Sequence, residues 1–133
     1  MMLQVTAICL GASAGALARW QLGLWLNPTG AVVGSALPLG TLAANLVGGY
    51  LIGVCVAVFQ ALPELNPAWR LALVTGFLGA LTTFSSFSAE VVAMLGQQRY
   101  ALALGTAALH LLGCLLLTIV GIRSATYFIA TSA

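Results

Sequence analysis

Three features of this 133-residue chain predict an all-α integral membrane protein with four transmembrane helices. Hydrophobic residues make up 62% of it and charged residues 5%, a balance that cannot keep a domain dissolved in water. Mean hydropathy is +1.12, and the apolar residues gather into runs of the ~20 residues that a bilayer core demands. Turn residues separate these runs. Four spans with short loops fill the whole length, so the sequence predicts one transmembrane domain over residues 1–133 and no soluble catalytic domain.

The first span is expected near residues 3–26, ended by Asn27-Pro28-Thr29-Gly30. No positive side chain precedes Arg19, so the run lacks the basic start of a signal peptide and reads as a retained helix. Pro38 sits where a helix would begin, opening a second span over about residues 39–62 that Pro63, Asn66 and Pro67 close. The third covers about 68–95, up to the Gly96-Gln97-Gln98-Arg99 turn. The fourth covers about 100–122, with an apolar tail able to carry the helix past Arg123. Four spans put both termini on one side.

Charge is scarce and evenly divided. There is no Lys and no Asp, which leaves Arg19, Arg70, Arg99 and Arg123 against Glu64 and Glu90. A scattered net charge of +2 offers no basic surface for phosphates, so nucleic acid is excluded as a partner. Orientation in a bilayer follows the Lys and Arg near span ends. Arg70 and Arg123 fall on the side of the termini, and Arg99, with Arg19 snorkelling, on the other. The tie predicts insertion in both orientations and an antiparallel homodimer; the alternative is that other factors choose one orientation. Cys9, Cys55 and Cys114 lie in apolar runs without metal-ligand spacing and read as small fillers.

Small residues four apart, Gly11 and Gly15, Gly49 and Gly53, Gly76 and Ala80, let helix backbones approach in lipid. Polar residues at membrane depth carry more information, because each must face protein, water or an ion. Thr41 and Asn45 share a stripe on the second span, and Thr106, His110, Cys114 and Thr118 recur every four residues on the fourth. That stripe rises ~18 Å. It either replaces the hydration shell of a small ion or bonds back to its own helix. His110 reads as a hydrogen-bonding member of the stripe, since a proton relay would need acidic neighbours that the span lacks.

The third span holds Gly76 and Gly79, then Thr82-Thr83-Phe84-Ser85-Ser86-Phe87-Ser88. Two glycines and five hydroxyl residues make a poor helix at mid-membrane, so a break is expected near residues 79–83; the alternative is a kinked helix satisfied by its own Ser and Thr. A break exposes backbone groups, which transporters use to bind ions.

These residues, with the Gly40-Thr41-Leu42-Ala43-Ala44-Asn45-Leu46 and Gly15-Ala16-Leu17-Ala18-Arg19 stretches, resemble the CrcB family of Fluc-type bacterial fluoride channels over nearly the whole chain. The resemblance implies passive fluoride export across the bacterial inner membrane by a multi-pass protein, giving fluoride resistance. It implies a dual-topology homodimer with two antiparallel pores, and a structural sodium ion at the dimer centre held by the backbone carbonyls of Gly79 and Thr82. By position Asn45 is the pore asparagine and Phe84 and Phe87 the aromatic pair of the anion path. Thr106, His110, Cys114 and Thr118 fall on the polar track, where His110 and Cys114 depart from the hydroxyl residues common there.

Residue chemistry agrees. A strongly hydrated anion needs donors, such as the Asn45 amide and the hydroxyls of Thr41, Ser85 and Thr118, and positive ring edges. A full charge would trap it, and no arginine occupies the middle of a span. Arg19 is either an attractor at a pore mouth or an interfacial anchor. The main rival, a coupled exporter of the small multidrug-resistance type, relies on a carboxylate in its first helix, which this chain lacks. A noncatalytic assembly subunit would not need the polar stripes. An enzyme is excluded, because one His and two peripheral carboxylates supply no catalytic constellation.

Overall fold

The computed structural model describes residues 1–27, 33–34 and 36–132; Pro28, Thr29 and Gly30 of the expected first turn lie outside them. Helix α1 (Met2–Leu26) ends at Asn27, whose extended backbone turns the chain away and whose side chain accepts from the N–H of Gly40 at 2.9 Å. That bond ties the end of α1 to the start of α2 (Leu39–Ala61), which begins directly after Pro38. Pro67 opens α3 (Pro67–Arg70), where the Asn66 side chain caps the helix by accepting from the Ala68 N–H. The chain then widens into a π-helical segment, Leu71–Leu78, and returns to one short turn, α4 (Gly79–Leu81).

Helix stops at Thr82 and resumes as α5 (Phe84–Gly96). After the Gln98 turn, with its left-handed φ of 59°, α6 runs from Tyr100 to Ser132 without interruption. It continues through Arg123, past the span expected near 100–122. At 1.5 Å per residue its 33 residues exceed the ~30 Å hydrocarbon thickness, so it tilts or projects beyond it. Four stretches are long and apolar enough to cross a membrane: Met2–Leu26, Leu39–Ala61, Pro67–Gly96 and Tyr100–Ser132. The chain is an all-helical, multi-pass membrane protein.

Backbone-to-backbone contacts hold the bundle. Gly11 and Gly15 let α1 rest on the π-helical segment, because a Cβ on either would strike a carbonyl oxygen there, that of Ala72 or Phe77. Gly76 answers from the other side, where a Cβ would sit 2.7 Å from the Ile8 carbonyl. Between α2 and α6, Gly53 faces the Thr118 carbonyl, Gly121 the Tyr50 carbonyl, and Gly49 the Cys114 backbone. In lipid such approach is favoured by dispersion contact and not by exclusion of water. A small apolar core, Ala44, Leu78 and Leu81 with Leu22, Leu51 and Phe77 against it, joins α1, α2 and the third span.

Candidate functional site

The site is built around the interruption of the third span. Thr82 (φ −80°, ψ 154°) and Thr83 (φ −151°, ψ 114°) are both extended, a conformation that suits two β-branched residues. Each uses its hydroxyl to finish one helix or start the next. Thr82 closes the upstream turn, its N–H and its hydroxyl both donating to the Leu78 carbonyl, at 3.0 and 2.8 Å. Thr83 caps α5, its Oγ1 accepting from the Ser86 N–H at 3.1 Å, as threonine does at a helix start. The Thr82 methyl fits against Gly48 on α2, where no Cβ could be accommodated.

Asn45 supplies the bonds that the interrupted helix cannot. Its Oδ1 accepts from the Thr83 N–H at 2.7 Å and its Nδ2 donates to the Thr83 carbonyl at 3.1 Å. The remaining Nδ2 hydrogen lies toward His110 Nδ1, 3.1 Å away. Two carbonyls lose their usual partners in consequence. In a continuous helix Gly79 would accept from Thr83 and Thr82 from Ser86; the first N–H goes to Asn45 and the second to Thr83 Oγ1.

Beside the break lies a cleft of about 510 Å³ whose lining includes Asn45, Thr83, Phe84, Phe87, His110, Cys114 and Thr118. Among the described residues, no Asp, Glu, Lys or Arg lines it. The rings of Phe84 and Phe87 sit 5.5 Å apart, tilted by 52°. Phe87 in turn lies against the His110 imidazole, with centroids 4.6 Å apart and planes tilted by 35°. The cleft therefore offers peptide and amide dipoles, ring edges and an imidazole, with no full charge among them.

The residues singled out from the sequence divide as follows. Asn45, Gly79, Thr82, Phe84, Phe87, His110, Cys114 and Thr118 all line this one cleft. Thr41 and Ser85 stand outside its lining. Ser85 Oγ is 3.2 Å from Thr83 Oγ1, while the Thr41 hydroxyl donates to Glu90 Oε1 at 2.6 Å. The Thr118 hydroxyl shares its hydrogen between the carbonyls of Gly49 (2.9 Å) and Cys114 (2.8 Å). Thr106 turns from the cleft toward α5, buried against the Met94 sulfur.

Two pairings have no signal in the sequence. Thr83 lies in the break expected at residues 79–83, but nothing local indicates that its peptide unit is the one Asn45 grips. Glu90 is not peripheral, since it meets Thr41 across 49 positions of sequence; nothing local announces that pairing.

Comparison with known proteins agrees over almost the full length. The family described as CrcB-like protein, Camphor Resistance (CrcB), matches residues 6–122. The fluoride-specific ion channel FluC of Albidiferax ferrireducens is 75% identical over 130 residues, covering 98% of this chain and 96% of its own. That of Paracidovorax citrulli is 58% identical over 130 residues, with 98% and 99% covered. That of Variovorax paradoxus is 65% identical over 124 residues, with 93% and 95% covered. With the break, its asparagine clasp and the aromatic pair all inside the matched region, the chain belongs to the CrcB family.

Proposed function

We propose that this protein is a fluoride-selective channel that lets fluoride leave the cell passively across the bacterial inner membrane and so confers fluoride resistance. The observation that carries this reading is the uncharged cleft in which Asn45, Phe84, Phe87 and His110 meet beside the broken third span. Its support from likeness is the name shared by relatives aligned over nearly their whole length. Fluoride holds its water tightly, so a pore must replace lost hydration with donors and dipoles. Ring edges carry partial positive charge, and partial charges can be left again where a lysine or arginine would hold the ion. Expression in a bacterial strain lacking its own fluoride export should restore growth in millimolar fluoride. Failure to rescue despite verified insertion in the membrane would contradict the proposal.

The functional unit is an antiparallel homodimer of chains inserted in opposite orientations. Supporting this are the two-to-two division of arginines across the predicted sides and the exposure of Phe84, 80% accessible in the single chain although it borders the cleft. A sodium ion at the dimer centre, held by the carbonyls of Gly79 and Thr82, belongs to the same reading. It is supported by the diversion of the Thr83 and Ser86 N–H groups, which frees those two oxygens from helical bonds. Two chains offer four such oxygens, and neutral carbonyls suit a hard monovalent cation. Sodium bound there would supply a fixed positive charge that holds the two breaks together.

A further inference from the structure

We infer that the π-helical widening of the third span leaves the Thr75 hydroxyl free of its own helix, and that this hydroxyl hydrogen-bonds a second, antiparallel copy of the chain. Thr75 is then a polar contact of the dimer, outside the cleft. The inference rests on the antiparallel dimer proposed above for the identity of the partner, and not on fluoride conduction.

A hydroxyl on a membrane helix ordinarily folds back onto a carbonyl one turn earlier. This chain follows that habit at Thr6, Ser13, Thr82, Ser88 and Thr118, each donating to the carbonyl four residues before it at 2.8–2.9 Å. Thr75 does not. It lies within Leu71–Leu78, where carbonyls take the N–H five residues on instead of four, which opens the turn that a hydroxyl would fold against. Among the described residues the Thr75 hydroxyl has no hydrogen-bond partner. Thr126 shares that lack, but it lies past Arg123 near the end of α6, where water is at hand.

Depth denies Thr75 that remedy. The break it precedes rests on Gly48, close to the middle of Leu39–Ala61. Seven residues separate Thr75 from Thr82, a rise of at most ~10 Å against a hydrocarbon half-thickness of ~15 Å. Lipid tails accept no hydrogen bond, so an exposed hydroxyl at this depth calls for a protein partner.

The third span has two faces here. Gly76, Leu78 and Leu81 are buried within the bundle, Gly76 against the Ile8 carbonyl of α1. Thr75, Gly79 and Phe84 are exposed. Thr75 is one turn before Gly79, whose carbonyl has lost the Thr83 N–H to Asn45, so the hydroxyl belongs to the face that carries the axial carbonyls. A second copy is the occupant that fits, because twofold symmetry brings the same face from the other chain and repeats each contact. The evenly divided arginines allow that copy to be inverted.

The test uses full-length protein, dye-labelled at the C-terminus, in phospholipid liposomes, with the dimer fraction counted at decreasing protein-to-lipid ratio. Thr75→Val keeps the shape and removes the hydroxyl. It should raise the dimer dissociation constant about tenfold, for two hydrogen bonds lost per dimer, with helix content by circular dichroism unchanged. Thr75→Ser should restore the parent value, and Thr6→Val, which removes a hydroxyl that folds back on its own helix, should match the parent. A Thr75→Val dimer as tight as the parent, or Ser and Val variants weakened alike, would overturn the inference. Photo-crosslinking from p-benzoylphenylalanine incorporated at position 75 should capture a second copy, as it should from position 84. Capture from 84 with lipid adducts alone from 75 would overturn the Thr75 contact and leave the dimer standing. Capture from neither, in protein that counts as single chains at every dilution, would overturn the dimer and the contact together.

Discussion

Asn45 and Thr83 face each other as one amide against one peptide unit, joined by two hydrogen bonds of 2.7 and 3.1 Å that run in opposite directions. The pairing has the form of a single rung of β-ladder inside a helical membrane protein. It allows two residues to be extended at a depth where water is not available to satisfy them. Replacing Asn45 by Ala leaves both groups of Thr83 unpaired, and each buried orphan costs about 1–3 kcal/mol. Asn45→Ala should lower the thermal unfolding midpoint in detergent clearly and abolish fluoride flux. An unchanged midpoint would mean that the break is held by something else.

The aromatic pair separates packing from ion handling. Phe84 is 80% exposed in the single chain, so Phe84→Ile should cost little in stability, and Phe87→Ile retains much of the bulk beside His110. Both remove a positive ring edge from the cleft. A large loss of fluoride flux is expected in each, with gel-filtration profiles like that of the parent. Normal flux in both would assign the rings to packing.

Two glycines offer a matched test of how the helices are held. A Cβ on Gly53 would strike the Thr118 carbonyl and lie 2.9 Å from the Ile122 nitrogen, whereas one on Gly105 would meet nothing within 4 Å. Gly53→Ala should therefore destabilise by about 1–3 kcal/mol, and Gly105→Ala should be neutral or stabilise by up to about 1 kcal/mol. Thermal unfolding of both variants checks the contrast. Equal effects would argue against close packing of α2 on α6.

The even arginine count predicts dual topology. Reporter fusions at the C-terminus should report both compartments within one cell population, and arginines added to one side should drive all copies into one orientation. A parent protein with every C-terminus in the cytoplasm would contradict it.

Much of this architecture is legible in composition and spacing, because in lipid an apolar run of sufficient length has few alternatives to a helix. The second span expected at 39–62 and the helix Leu39–Ala61 agree since Pro38 and Pro63 bound it chemically. Small residues four apart indicated close approach, and Gly49 and Gly53 make it. What the sequence could not indicate is register across helices. The π-helical widening at Leu71–Leu78 has no local signature in an ordinary apolar run. The separation of Thr106 from His110, Cys114 and Thr118 depends on how α6 is rotated against α2 and α5, which a four-residue repeat leaves open. Thr41 finding Glu90, and Asn45 finding Thr83, are tertiary events between segments roughly a third of the chain apart.

The central claim is passive, selective conduction of fluoride. Purified protein in liposomes loaded with potassium fluoride, with valinomycin to balance charge, can be followed with a fluoride-selective electrode. The expected result is efflux down the fluoride gradient that begins when valinomycin is added, needs no proton gradient, and has little counterpart when chloride replaces fluoride. Efflux that appears only with an imposed proton gradient, or chloride flux as fast as that of fluoride, would contradict it.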